Sequence, residues 1–342
     1  VSPAAARVLA IGLGTALAVI AAEGVARVVR GPDLVAVVRA GFEPAEASTA
    51  MAVRVGDGRV FGARPGFVGG AVSINAHGTR GPARPLDRGE DVARVVVLGD
   101  SVAFGQEIPY SDTLGARVET LLGERGARRW EVWNLAFPGY NTVQSAAALG
   151  GLGARLAPDV VVLVWVTNDA ASLEVPLGGS VGGPALYVER RVHLLPGLGE
   201  RLQIAAWRRS ALFRSLGDAL GGPNEVLLEE EEHRAAIAAI AAQCDSLGAP
   251  LVFAMVPPLI DYAGWREGPH PGRPTPPWAA DSVWRSAREQ ATASGAIVVD
   301  LTMALAGRRP SDVRLDEIHP NALGHRLIAT TLAERIAGLA PE

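Results

Sequence analysis

The chain has 342 residues, 49% of them hydrophobic and 20% charged, with a formal net charge of -4. This composition belongs to a folded globular protein rather than a disordered one, long enough for one large domain with appendages. The charge gives no reason to expect a nucleic-acid partner, and the lone Cys244 excludes an intrachain disulfide and a cysteine-based zinc cluster.

Val8 to Ala22 is an unbroken run of apolar and small residues with only Thr15 mildly polar, preceded by Arg7 and followed by Glu23, Arg27 and Arg30. The run is short of the ~20 residues a membrane span needs. Extension through Val29 reaches that length by admitting two charges, and Gly24-Val25-Ala26 offers a small-x-small cleavage site. Residues 1–32 are therefore expected to be a hydrophobic anchor or signal segment. That places the protein outside the cytoplasm, membrane-anchored or secreted, with a buried helix of the fold as the alternative.

Residues 33–90 are expected to be a connector with short strands. Val53-Arg54-Val55 and Arg59-Val60-Phe61 alternate weakly, Val72 to Asn75 reads as a strand, and Ala76 to Gly81 as a turn holding His77 at the surface, with a site residue as the alternative for His77. From Arg94 onward the rhythm becomes strand, helix, strand. Strands are expected at Val95–Gly99, Trp130–Leu135, Asp159–Val166, Leu251–Val256 and Ala296–Asp300. Helices are expected near 112–126, 142–156, 229–247, 278–293 and 322–339, where apolar residues recur at helical spacing. Continuous apolar runs such as Val160 to Val166 suit a parallel sheet covered on both faces. The pattern predicts a three-layer, doubly wound α/β domain over 91–342, with a five-stranded, flavodoxin-like parallel sheet. Residues 171–227, which include the amphipathic piece Ile204 to Arg214, interrupt it as a lid, an insert or a sheet-covering helix.

Ser101 follows the first of these strands in Gly99-Asp100-Ser101-Val102, where a hydroxyl would sit at the carboxyl edge of the sheet. Gly139 lies in the loop after the second strand and Asn168 follows the third. Asp316 and His319 share the loop before the last helix. Taken singly, each has a structural reading: Ser101 and Asp316 as helix caps, His319 as a surface loop residue, Asn168 and Asp169 as a strand-end turn. Taken in order, Gly99-Asp100-Ser101-Val102, Asn134 to Gly139, Val166-Thr167-Asn168-Asp169 and Asp316-Glu317-Ile318-His319 resemble the four blocks of the SGNH, or GDSL-type, serine hydrolases. The likeness is to members with an N-terminal hydrophobic segment and covers about residues 94–338. Two positions depart from the family pattern, Val102 for a usual Leu and Val166 for a usual Gly.

The resemblance implies Ser101 as nucleophile, His319 as base and Asp316 as the acid that orients it. It also implies an oxyanion hole of the Ser101 and Gly139 amides and the Asn168 side chain. Asp100 and Asp169 are read as structural, and His325 as a helix-face residue, while His193, His233 and His270 have no evident partners. The function expected is cleavage of an acyl or acetyl ester, on a small molecule or a glycan, with no cofactor and no metal. The alternatives are an O-acyltransferase acting on cell-envelope polysaccharide with the same triad, and a non-catalytic binding module.

Overall fold

The computed structural model describes residues 12, 14–25, 51–55, 57–59, 61–125, 128–170, 210, 212, 230–259, 282–316 and 318–339. The expected insert at 171–227 (but for residues 210 and 212), the loop at 260–277, His193 and His270 lie outside them, as do parts of the N-terminal segment and the connector.

In chain order the elements begin with four short strands, β1 (Ala52–Arg54), β2 (Phe61–Ala63), β3 (Val68–Gly69) and β4 (Val72–Ser73), paired as two antiparallel hairpins. Then follow β5 (Val92–Gly99), α1 (Ser101–Phe104), α2 (Leu114–Gly123), β6 (Arg129–Asn134), α3 (Thr142–Ala148) and β7 (Val160–Trp165). The chain closes with α4 (Glu230–Leu247), β8 (Leu251–Met255), α5 (Ser282–Ala293), β9 (Ile297–Asp300), α6 (Pro310–Val313) and α7 (Ala322–Ala337).

Strands β5 to β9 form one parallel sheet in the spatial order β6-β5-β7-β8-β9. This is the 2-1-3-4-5 order of flavodoxin-like sheets. Helices α2 and α7 pack together as one layer, while α3 packs on α4 and α4 on α5 as the other. Between the layers every residue of β7 is buried, as are all of β5 but its first and all of β8. These are the continuous apolar runs of the sequence, and burying both faces removes the need for alternation.

The 33–90 stretch is more than a spacer where it is described. Phe61, Phe67, Val72 and Ile74 are buried in the same core as the sheet. Tyr140 donates its hydroxyl proton to the Phe61 carbonyl at 2.8 Å, and Gln144 Nε2 donates to the Arg59 carbonyl at 2.7 Å. At the amino end of β5, buried Arg94 pairs with Glu131 at 3.1 Å and donates to the carbonyls of Pro85, Leu86, Asp87 and Leu156.

The N-terminal apolar run is described only in part, as a helix over 14–25 with Leu17, Val19, Ile20 and Val25 exposed. Among the described residues no helix is long and apolar enough to cross a membrane.

Candidate active site

Strand β5 cannot run straight into α1 with an ordinary residue at position 99. Gly99 has φ 137°, and a Cβ there would come within 2.5 Å of the Val164 carbonyl oxygen on the neighbouring strand and 2.9 Å of Ala103. Glycine alone takes this backbone without strain. The turn it permits points Asp100 and Ser101 out of the carboxyl edge. Asp100 then caps α1, its Oδ1 accepting from the Val102 amide at 2.8 Å.

The opposite wall is the loop between α6 and α7, fixed at both ends. Leu315 N–H donates to the His319 carbonyl at 2.8 Å, Asn321 N–H to the Val313 carbonyl at 2.9 Å, and Arg314 pairs with Pro320 as an isolated bridge. Asn321 caps α7 by accepting from the amides of Leu323 and Gly324. Within this loop Asp316 Oδ1 accepts from the amides of Ile318 and His319, both at 2.8 Å, a local turn that an Asp side chain favours.

Its other oxygen, Oδ2, is 2.7 Å from His319 Nδ1, and His319 Nε2 is 2.9 Å from Ser101 Oγ. A carboxylate on Nδ1 fixes the proton there, leaving Nε2 to accept from the serine hydroxyl. Although burial raises the Asp316 pKa, the His319 amide and ring and the Ile318 amide outweigh it and hold the carboxyl below its ordinary value. The structure thus joins Ser101, His319 and Asp316 in one hydrogen-bonded line across 218 residues of sequence.

Asn168 stands in the 3-10 turn Thr167–Ala170 after β7, its Nδ2 donating to Asp100 Oδ2 at 3.1 Å. That oxygen also lies 3.3 Å from Ser101 Oγ. Asp100, read from the sequence as structural only, is the link between the serine and Asn168. The signal was its place directly before the serine at a strand end, where a carboxylate reaches both the first helical amides and the next strand's turn. Gly139, φ 81°, lies in the turn after β6 at the same sheet edge. No hydrogen bond among the described residues joins it to the other four. Its loop is held by Phe137 N–H donating to the Gly99 carbonyl at 3.2 Å and by the Phe137 ring against Phe104, 5.8 Å between centroids.

Two buried carboxyls flank this edge. Burial pushes Asp169 well above the usual carboxylate range, and the neighbouring Asp100 charge adds to it; the Val166 amide at 2.9 Å opposes. Asp100 is also raised by burial, but the Val102 amide, Asn168, His319 and Ser101 all favour its charge. With more donors around it, Asp100 is the more readily ionised of the two.

Three histidines have contacts that the sequence reading did not supply. His325, expected on a helix face, is buried at 2% exposure and its Nδ1 accepts from the Leu114 amide at 3.1 Å. His233, for which no partner was evident, accepts at Nε2 from the Trp165 indole at 3.3 Å. His77 is half-buried, with Nε2 2.9 Å from the Arg84 carbonyl and its ring 5.7 Å from Trp133. Among the described residues, no cluster of His, Cys, Asp and Glu could hold a metal ion.

A family model described as GDSL-like lipase/acylhydrolase matches residues 97–327. No curated protein matches the chain. Solved structures similar to it include a lipase/acylhydrolase from Enterococcus faecalis, 18% identical, covering 73% of this chain and 97% of its own, with a TM-score of 0.43. A metagenomic α/β hydrolase from Lake Arreo, Spain, is 17% identical, with 73% and 97% coverage and a TM-score of 0.44. An acetylxylan esterase from Geobacillus stearothermophilus is 13% identical, with 71% and 94% coverage and a TM-score of 0.42.

Proposed function

Because the chain belongs to the GDSL-like lipase/acylhydrolase family, we propose that it is a serine hydrolase cleaving acyl or acetyl esters through an acyl-enzyme. The observation that carries this reading is the line of contacts from Asp316 Oδ2 through His319 to Ser101 Oγ, at 2.7 and 2.9 Å. A serine hydroxyl is a weak nucleophile until a base takes its proton. In the first half-reaction Ser101 Oγ bonds to the ester carbonyl carbon as its proton passes to His319 Nε2. Asp316 stabilises the imidazolium and keeps its orientation. The tetrahedral oxyanion is met by the Ser101 and Gly139 amides and by the hydrogen of Asn168 Nδ2 that Asp100 does not engage; each such donor typically contributes ~10²–10³ in rate. Collapse breaks the bond to the alcohol oxygen, which takes the proton from His319. A water then repeats the sequence on the acyl-enzyme, giving the carboxylic acid and free Ser101.

The full chain is expected to hydrolyse a short-chain aryl ester, with Ser101→Ala reducing the rate to background. Equal rates in parent and Ser101→Ala remove Ser101 as nucleophile.

A further inference from the structure

The turn at residues 75–81 presents one side chain that the proposed reaction has not used. Asn75 organises this turn: its Oδ1 accepts from the amides of His77 and Thr79, and its Nδ2 donates to Thr79 Oγ1 and the Pro82 carbonyl. The backbone of Arg80 then bridges to Ile74 on one side and Asn134, the last residue of β6, on the other. Its side chain is 1% exposed and runs beneath α1. Nη1 donates to the Phe104 carbonyl at 2.8 Å and to the Gly105 carbonyl. Nη2 donates to the Ile108 carbonyl and, at 3.2 Å, to that of Ala71. The guanidinium carbon lies 4.8 Å from the centre of the Phe104 ring.

Helix α1 is a single turn of four residues. A helix that short cannot hold itself, since nucleation is unfavourable and its last carbonyls have no partner within the helix. The partners are supplied from outside: Asn134 Nδ2 donates to the Ala103 carbonyl at 2.8 Å, and Arg80 takes Phe104 and the two carbonyls beyond it. Among the described residues no carboxylate pairs with the Arg80 guanidinium, and burial lowers its pKa to about 10. A buried cation is costly, and here carbonyl dipoles and an aromatic face offset the cost. Only the planar, five-donor fork of arginine reaches such divergent carbonyls at once.

We propose that Arg80 is a positioning residue for the nucleophile. By gripping the carboxyl end of α1 it sets where Ser101 Oγ stands relative to His319 Nε2. The inference rests on Ser101 being the nucleophile, as proposed above.

The test compares the full-length parent with Arg80→Lys and Arg94→Lys. Arg94 is a control of equal burial at the far end of β5. Each protein is measured for melting temperature, for kcat and KM on an aryl ester, and for the rate at which a fluorophosphonate labels Ser101. A displaced nucleophile predicts that Arg80→Lys lowers kcat and the labelling rate together by about tenfold or more while KM stays within about twofold. Arg94→Lys lowers the melting temperature with kcat near the parent's. An Arg80→Lys protein that loses only thermal stability overturns the proposal. Should that variant not be recovered folded, Phe104→Leu keeps apolar volume but removes the ring beneath the guanidinium. The same selective fall in kcat supports the proposal, and a parent-like kcat overturns it. A parent without esterase activity, or fluorophosphonate labelling of Ser101→Ala, refutes Ser101 itself and the role of Arg80 with it.

Discussion

The Ser101 hydroxyl has one proton and two acceptors in reach, His319 Nε2 at 2.9 Å and Asp100 Oδ2 at 3.3 Å. The shorter contact leads to the base, while Asp100 is already engaged by Asn168 and the Val102 amide. Asp316 differs from both of its proposed partners in exposure. Its side chain is 57% exposed against 20% for His319, so water solvates the carboxylate even as it orients the ring. An imidazole that loses this acid also loses the two amide bonds to Asp316 Oδ1. Its backbone keeps the bond from the Leu315 N–H to the His319 carbonyl and the Arg314–Pro320 bridge, and water takes over part of the carboxylate's role at Nδ1. His319→Ala is therefore expected to match Ser101→Ala, whereas Asp316→Ala retains on the order of 10–100-fold more activity than either. Single-turnover rates on an aryl ester check this ordering. Equal losses in the aspartate and histidine variants would mean that the carboxylate does more than orient the ring.

At the scale of elements, the molecule shows which signals a sequence carries and which it does not. Strands β5, β7 and β8 were legible because full burial on two faces demands unbroken apolar runs, and Gly99 marked where β5 must end. Helix α1 was not legible: four residues hold barely one helical turn, too few for any periodicity. Its supports come from Arg80 and Asn134, 24 and 31 residues away along the chain, and no local pattern announces a contact of that kind. Asp316 and His319 were legible as a pair only through the resemblance to the Asp-x-x-His block; taken singly they read as a cap and a loop residue, and the structure brings them to 2.7 Å. The element that closes α1 gives a test of how tightly it is held. Gly105 caps the helix at φ 79°, and a Cβ there would lie 2.7 Å from Thr113 Cγ2. Gly105→Ala should cost about 1–3 kcal/mol in stability, from the left-handed backbone and the overpacking combined. Urea unfolding measures the loss, and a variant as stable as the parent would show that α1 shifts freely.

Across the whole molecule, among the described residues, each helical layer has a buried neutral imidazole that accepts an N–H bond. On the α2–α7 side His325 accepts from Leu114; on the α3–α4–α5 side His233 accepts from Trp165. Burial lowers His325 to about 3, helped by the charges of Arg80 and His319 and opposed by Asp112. Burial likewise lowers His233 to about 4, with a hydrogen bond to Gln290 opposing. Both folded values lie below the ordinary 6.5, so the unfolded chain takes up protons first as pH falls. Their stabilisation is complete above pH 6.5 and is lost progressively toward pH 4 for His233 and pH 3 for His325. Asp100 and Asp169 act in the opposite sense, because a raised carboxyl pKa lets the folded state bind protons ahead of the unfolded one. Total acid sensitivity therefore mixes the two signs, and a difference between variants separates them. His233→Gln keeps an acceptor for the Trp165 indole but does not titrate. Between pH 6 and 4.5 its unfolding free energy should fall less steeply than the parent's, by up to about 1.4 kcal/mol per pH unit. Urea titrations of both proteins at several pH values give the two slopes. Parallel slopes would mean that His233 takes up its proton over the same pH range in the folded and the unfolded chain, so that burial beside Trp165 does not hold it neutral.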